Sequence, residues 1–268
     1  MFIFHPTNKY SMPAHFLGEG RDPDVPRPML EYGDCTGVSI VYDTDLDALS
    51  KYIPESFEIL APRLIISFVG SRQINWMGGG YYNLVDVSVP AKYIGNDKGL
   101  YGAYSLVIWE DKTEPIIGGR EGSGMPKIFG DIEELRMLNG VYSTNVSYYG
   151  RTFLDIEIRN IREATEEELA QRNASKDFYA FGWRYIPNCA GKPGAAISHA
   201  TAYPQRSTVS KLWYGDGKVE WTKLAYEQHP TQAHIISALA GLPVLSYVVA
   251  SMSKSVLNLM PADTLELP

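Results

Sequence analysis

One lysine in the sequence has unusual neighbours for a cationic side chain. Lys127 follows Pro126 and a glycine-rich stretch, residues 118–124, and lies between the apolar residues Met125 and Ile128. An ordinary lysine pKa of about 10.4 leaves nearly every amine protonated at neutral pH, whereas only the neutral amine attacks a carbonyl carbon. Apolar surroundings disfavour the ammonium form, so Lys127 is a candidate nucleophile. The composition alone nevertheless favours a surface lysine whose long side chain carries the amine into water.

Other reactive motifs in the sequence are incomplete. The glycine-rich stretch does not have the G-x-x-x-x-G-K-[ST] spacing of a phosphate-binding loop, and Ser123 is not part of a G-x-S-x-G nucleophile motif. His229 and His234 are separated by a spacing that does not align two metal ligands on one helical face. Two cysteines, Cys35 and Cys189, cannot supply a four-ligand zinc site. The sequence therefore predicts neither a nucleotide-binding loop nor a metal site.

The composition is that of a folded, mildly acidic protein. The 268 residues include 24 Lys+Arg and 31 Asp+Glu, which gives a formal net charge of −7, and 45% of the residues are hydrophobic. Net acidity argues against nucleic acid as a partner, because phosphate binding requires a basic surface. The first residues lack the basic and apolar regions of a secretory signal, so we expect a cytoplasmic protein.

One uncharged stretch of 19 residues, 235–253, approaches the length of a membrane span. Gly241, Pro243 and four serines within it are unfavourable in a spanning helix. Because proline is accepted in the first turn of a helix, we expect two short buried helices that meet near Pro243. No membrane partner is expected.

Strand patterns dominate the rest of the chain. Apolar and charged residues alternate over residues 154–159, and valines recur at every second position over residues 85–89. The glycines at 215 and 217 favour a hairpin turn between a strand at 207–214 and another at 218–221.

Helix signals are fewer, and they include the capping box Thr165–Glu168. A chain of about nine strands with few helices predicts a mainly β protein, a single antiparallel β-barrel domain with peripheral helices. We expect this domain to span residues 32–268 and an irregular, proline-rich arm to occupy residues 1–31.

The segment around Lys127 resembles a known family. Residues 114–130, EPIIGGREGSGMPKIFG, are similar to the stretch E-P-x-x-x-G-R-E…P-K around the Schiff-base lysine of the acetoacetate decarboxylase family. Further similar segments follow the family's order at residues 40–49, 186–188 and 242–244. The resemblance implies a β-rich, cone-like barrel, a homo-oligomer, a small keto acid as substrate, and a catalytic lysine at Lys127. It implies neither a metal nor an organic cofactor.

This sequence also departs from the family pattern. Ile128 occupies the position of a second lysine that follows the Schiff-base lysine in decarboxylases, so we expect desolvation rather than a second cation to favour the neutral amine. Asn83 and Leu84 lie where the family has a catalytic glutamate. Ser67 and Cys35 replace a second glutamate and an arginine. Imine formation does not require these charges, whereas specific decarboxylation of acetoacetate uses them.

Three functions are compatible with these residues. The leading hypothesis is a lyase that decarboxylates a β-keto acid through an imine on Lys127. One alternative is a pyruvate aldolase-dehydratase that uses the same imine, and the other is a non-catalytic barrel that binds a small molecule. The residues expected to organise the site are Arg120, Glu121, Met125, Ile128, Tyr82 and Asn83.

Overall fold

The computed structural model of the chain describes residues 3–7, 10–16, 29–96, 99–174 and 178–268. Within these ranges the chain is mainly β, which confirms the predicted class. The strands there are β1 (Leu30–Asp43), β2 (Phe57–Ile59), β3 (Arg63–Ile74), β4 (Gly80–Tyr93), β5 (Tyr101–Glu110), β6 (Lys127–Phe129), β7 (Asp131–Ile132), β8 (Arg136–Leu138), β9 (Val141–Tyr148), β10 (Arg151–Glu163), β11 (Phe178–Pro187), β12 (Ala195–Trp221), β13 (Ser246–Leu259) and β14 (Leu265–Leu267). The α-helices there are α1 (Leu46–Ser50), α2 (Thr113–Ser123), α3 (Glu166–Ala174) and α4 (Ala233–Leu239).

Seven of these strands form a ring of hydrogen-bonded neighbours. Their order is β11-β5-β4-β3-β1-β13-β12, and β12 also pairs with β11, which closes the ring. Since β12 is 27 residues long, its second half extends into another layer, where β10, β9 and β7 follow it. Most pairings are antiparallel, while β6 and β11 each pair with β5 in parallel. The barrel shape itself stays a prediction.

The largest apolar core packs the ring strands against β9 and β10. The three valines of the pattern over residues 85–89 are fully buried in it, and so are Leu154, Ile156 and Ile158 of β10. Each such side chain contributes about 1.5–3 kcal/mol when it leaves water. Both period-two patterns are therefore confirmed as buried strand faces.

A second apolar cluster draws side chains from all seven strands of the ring. Its buried members, here called the ring cluster, are Tyr32, Cys35, Ile74, Tyr82, Ile108, Met125, Tyr203 and Leu259. Ala180 of β11 packs against them. Because every strand of the ring contributes, this cluster lies within the ring, and it borders Lys127.

The predicted capping box is present at the start of α3. The Thr165 hydroxyl accepts from the Glu168 amide at 3.2 Å, and the Glu168 carboxylate accepts from the Thr165 amide at 2.9 Å. Two otherwise unpaired amides at the helix start are satisfied in this way. The prediction is confirmed.

The predicted hairpin at residues 215–217 is wrong. β12 runs without a turn through these residues, and Lys218 pairs with Glu157 of β10. A Cβ atom at Gly217 would lie 2.6 Å from the Ala250 side chain, so this glycine serves a close approach of two strands. A glycine required for packing has the same local pattern as a glycine required for a turn.

The prediction of two helices over residues 235–253 is half right. α4 covers the first part, but the residues from Ser246 onward form β13. Serine alternates with apolar residues over residues 250–253, and β-branched valines precede them, a pattern that fits a strand. No helix among the described residues is long and apolar enough to cross a membrane.

The N-terminal arm was predicted over residues 1–31. β1 begins at Leu30, so the last two residues of that range belong to the first strand of the ring. A short 3-10 helix occupies Ala14–Phe16. Residues 17–28 lie outside the described residues.

Candidate active site

Lys127 is placed by the short parallel pairing of β6 with β5. Lys127 is in register with Ile108 of the ring cluster, and the next residue, Ile128, is in register with Trp109 of the main core. Because successive side chains of a strand point to opposite faces, Lys127 faces the ring cluster and Ile128 faces away from it. The Lys127 side chain is 14% exposed.

A buried carboxylate contacts the lysine. Glu110 is the last residue of β5 and is fully buried, and its Oε1 accepts a hydrogen bond from Lys127 Nζ at 2.7 Å. Its Oε2 has no partner among the described residues. Burial raises the pKa of Glu110 above its ordinary value of 4.5, while the charge of Lys127 opposes this effect. A carboxyl group in this position can exchange a proton with the lysine nitrogen.

Helix α2 covers the lysine. The Pro115 carbonyl accepts from Lys127 Nζ at 3.3 Å, and the Arg120 guanidinium donates to the Lys127 carbonyl at 2.9 Å. A Cβ atom at Gly119 would lie 2.5 Å from Cδ and 2.9 Å from Nζ of Lys127. The lysine side chain therefore passes directly over this glycine, and a larger residue there would displace it.

Three tyrosines of the ring cluster surround this pair. Tyr82 donates a hydrogen bond to the Tyr32 hydroxyl at 3.2 Å, and Tyr203 is buried in the same cluster. Burial raises the pKa of Tyr32, which the charge of Lys127 partly offsets, and raises the pKa of Tyr82 well above 10.0. Burial also raises the pKa of Tyr203. These phenols are therefore neutral hydrogen-bond donors at physiological pH.

A second acid, Asp86 of β4, lies near enough to Lys127 for the lysine charge to favour its ionised form. Its Oδ1 is buried without a hydrogen-bond partner among the described residues, while Ser88 and Ser105 bond the carboxylate. Burial raises the pKa of Asp86 from 3.8 to about 6, although the two serines and Lys127 favour the charged form. Desolvation is the largest of these effects.

Asp86→Asn is expected to change how stability depends on pH. Between pH 3.8, the unfolded pKa, and about pH 6, the folded protein holds a proton that the unfolded chain releases. Below pH 3.8 the wild-type carboxyl therefore does not change the free energy of unfolding. Above about pH 6 it lowers the free energy of unfolding by about 3 kcal/mol. Urea unfolding at pH 4 and pH 7 should show the variant gaining stability relative to the wild type as pH rises. The exposed Asp47 gives a matched control in Asp47→Asn, and a parallel pH dependence of Asp86→Asn and wild type would contradict the prediction.

Sequence comparison assigns the chain to a family. The sequence model of the family "Acetoacetate decarboxylase (ADC)" matches residues 11–265. The chain belongs to the acetoacetate decarboxylase family. An acetoacetate decarboxylase from Paraburkholderia phytofirmans is 28% identical over 252 residues, which cover 91% of this chain and 86% of the relative. One from Clostridium beijerinckii is 26% identical over 237 residues and covers 85% of each chain.

Solved structures of the acetoacetate decarboxylase family share the fold. One, from structural studies of acetoacetate decarboxylase, has a TM-score of 0.73 at 22% identity and covers 90% of each chain. The enduracididine biosynthesis enzyme MppR, complexed with pyruvate, has a TM-score of 0.72 at 16% identity and covers 97% of each chain. At these identities the likeness shows the fold alone.

The fold of this family member brings some of the predicted site residues to the lysine. Met125 and Tyr82 are buried in the ring cluster, and Arg120 binds the lysine carbonyl while its own side chain is exposed. Glu121 is exposed, and its carbonyl accepts from the Arg184 guanidinium at 2.8 Å. Thus the structure places the Glu121 side chain away from the amine.

Asn83 and Ile128 were expected at the site, but both face away from the lysine. The Asn83 side chain accepts from Arg72 and donates to the Ile132 carbonyl on the other side of β4, while its backbone amide donates to the Asp111 carboxylate. Ile128 packs against the main core, so it is not the residue that desolvates the amine. The register of β6 with β5 thus corrects the prediction that Ile128 lies beside the amine. The groups within reach of Lys127 Nζ are instead Glu110 and the backbone of α2.

The acids of the site, Glu110 and Asp86, were missed by the sequence reasoning. Of the neutral residues expected at charged positions of the family, Cys35 and Leu84 lie at the ring cluster, and Ser67 pairs with Asp86 across β3 and β4. A charged residue at the end of an apolar strand was the available signal for Glu110, because burial of such a residue requires a partner. Among the described residues, no group of three or more His, Cys, Asp or Glu side chains could hold a metal ion.

Proposed function

We propose that the protein is a lyase that forms a Schiff base between Lys127 and a small keto acid, and that it decarboxylates a β-keto acid. The observation that carries this proposal is the contact between the Lys127 amine and the buried Glu110 carboxylate, beside the phenols of the ring cluster. The named activity of the curated relatives supports it. The proposed chemistry uses side chains of this chain alone.

The proposed reaction begins with proton transfer within the pair. Glu110 takes a proton from the lysine nitrogen, and the neutral amine of Lys127 adds to the ketone carbon. Glu110 then gives its proton to the hydroxyl group that leaves as water, which produces a protonated imine. The bond to the carboxylate then breaks, and its electron pair moves toward the imine. CO2 leaves and an enamine remains. Glu110 takes up a proton from solvent and gives it to the enamine carbon, and addition of water to the resulting imine releases the ketone and restores the amine.

Burial of the site suits both halves of this cycle. Because burial raises the pKa of Glu110, its carboxyl takes up and returns a proton more readily than an exposed glutamate does. The substrate carboxylate loses its charge as CO2 forms, so surroundings poor in water favour the bond cleavage. The neutral phenols of Tyr32, Tyr82 and Tyr203 can donate hydrogen bonds to the substrate while excluding water.

An aldolase-dehydratase is the second candidate function. MppR has been solved with pyruvate and with the condensation product of pyruvate and imidazole 4-carboxaldehyde, and its fold matches this chain. The neutral residues Cys35, Ser67 and Leu84 at the decarboxylase's charged positions favour this alternative. In it the imine keeps the substrate carboxylate, the enamine adds to an aldehyde, and water is then lost.

The architecture around the site is part of the same proposal. We infer that the closed ring of strand pairings forms a barrel around the ring cluster. Family membership and the exposed apolar residues Leu245, Tyr247, Val248 and Val249 support assembly as a homo-oligomer.

Reductive trapping tests the proposal. The protein is incubated with acetoacetate or with pyruvate, borohydride is added, and the modified peptide is identified by mass spectrometry. We expect a secondary amine on Lys127, since borohydride donates hydride to the imine carbon. Lys112 is an internal control, because its side chain is 39% exposed and its amine lies 3.9 Å from the nearest oxygen of its acid partner, Asp111.

The trapped group also distinguishes the functions. An isopropyl group on Lys127 after incubation with acetoacetate shows that CO2 was lost before reduction. The aldolase-dehydratase is indicated instead if the group trapped from pyruvate retains its carboxylate and if added aldehyde gives an unsaturated product. If no keto acid of a graded series modifies Lys127, both enzymatic functions are excluded. The non-catalytic binding protein, in which Lys127 and Glu110 form a structural ion pair, is then the remaining function.

A further inference from the structure

A cavity of about 490 Å³ lies away from Lys127 and shares no lining residue with the site described above. Its apolar walls come from the ring strands and from the layer of β9 and β10. They consist of Phe68, Leu135, Tyr142, Ile161, Trp213 and Met252. The volume is within the range of small-molecule sites, and three of the six side chains are aromatic. Such walls suit a flat apolar body.

Four charged residues line the same cavity. Arg72 pairs with Glu134, and Lys254 pairs with Asp34 at 3.3 Å. The two cations and two anions balance, so the net charge does not select a ligand. The difference between the pairs lies in how firmly each partner is held.

Arg72 is the most firmly held of the four. Its guanidinium donates to the Ser71 carbonyl at 2.8 Å and to Asn83 Oδ1 at 3.2 Å, and it lies 4.9 Å from the centre of the Tyr81 ring. The Arg72 side chain is 29% exposed. A guanidinium fixed in this way loses little conformational freedom when it binds a further acceptor.

Its counterion is held much less firmly. Glu134 has a side chain that is 60% exposed, and Arg72 is its only hydrogen-bond partner among those found in the described residues. An exposed ion pair of this kind is worth only about 0–1 kcal/mol. A ligand carboxylate can therefore replace Glu134 at the guanidinium, while the Glu134 side chain turns into solvent.

We propose that this cavity binds a small aromatic carboxylate. The ring of the ligand packs between Phe68, Tyr142 and Trp213, and its carboxylate accepts hydrogen bonds from Arg72 in place of Glu134. Charge-assisted hydrogen bonds from arginine to a carboxylate are about twice as strong as neutral ones, and they select a planar acid. The site is independent of the imine chemistry proposed for Lys127.

The test is a titration with benzoate, which has no ketone and forms no imine. In protein labelled with ¹⁵N-tryptophan, the indole signal of Trp213, assigned with Trp213→Phe, is followed as benzoate is added. We expect a saturable shift with benzoate, and at least tenfold weaker effects with benzyl alcohol or acetate. Equal responses to benzoate and benzyl alcohol would overturn the proposal.

Variants locate the carboxylate. Arg72→Gln is expected to weaken benzoate binding at least tenfold, whereas Glu134→Gln is expected to tighten it severalfold because the competing carboxylate is gone. Arg136→Gln, on an exposed arginine paired with Glu133, is the matched control and should leave binding unchanged. If Arg72→Gln fails to fold, Glu134→Gln still tests the proposal, because weaker benzoate binding by Glu134→Gln would contradict it. Lys127→Met should bind benzoate normally, and lost binding would place the ligand at the lysine instead.

Discussion

Lys127→Met is expected to lower kcat by roughly 10⁴-fold or more and to abolish borohydride trapping with any keto acid. Methionine has a similar length and an apolar side chain, so it fills the space above Gly119. It has no amine, however, and no imine can form. The loss should therefore appear as lost chemistry in a folded protein, measured as product formation alongside thermal unfolding.

Lys112→Met is the matched control. Lys112 is close in sequence, lies over the Tyr81 ring and is 39% exposed, so its loss should change the rate less than twofold. Retained trapping in the Lys127 variant would show that another lysine forms the imine. Equal losses in both variants would indicate a general structural effect.

Glu110→Gln is expected to lower kcat by about 10²–10³-fold, the usual contribution of a general acid–base group. Glutamine has the same shape and still accepts a hydrogen bond from Lys127 Nζ, but it takes up no proton. In the wild type, the rate should rise with pH as the Glu110 carboxyl, whose pKa is raised by burial, releases its proton. This limb of the pH profile of kcat should be missing in the variant.

Glu114→Gln gives a control in the same segment, since Glu114 is an exposed residue in the first turn of α2. It should keep both the rate and the pH profile of the wild type. If Glu110→Gln keeps the acid limb of the profile, Glu110 is a structural counterion rather than a proton carrier. A drop in rate with an unchanged profile would support the same conclusion.

Local patterns in the sequence were sufficient for the strand faces and for one helix start. The apolar residues of β10 and the valines of β4 alternate with a period of two, and the Thr165–Glu168 capping box depends on residues within one helical turn. Such features are determined over a few residues, so a single sequence contains them. Family resemblance pointed to Lys127 and to the family, and the comparison with the family confirmed the family assignment.

Local patterns failed where a partner strand decides the structure. The glycines of residues 215–217 favour a turn by themselves, but β10 and β13 flank them and keep β12 extended. The residues from Ser246 onward lie between β1 and β12, and these two neighbours supply the hydrogen bonds of a strand. In both cases the pairing with distant residues outweighs the local preference.

The sequence by itself determined the strand-forming pattern and singled out Lys127 as the candidate lysine, whereas the tertiary structure alone decided what surrounds that lysine. Glu110 reaches Lys127 because β6 pairs with β5, and the three tyrosines come from β1, β4 and β12. Since one residue of shift in a strand's register moves every side chain to the opposite face, Asn83 and Ile128 face away while Tyr82 and Lys127 face the ring cluster. Register depends on the packing of the whole sheet, and no short segment of the sequence specifies it.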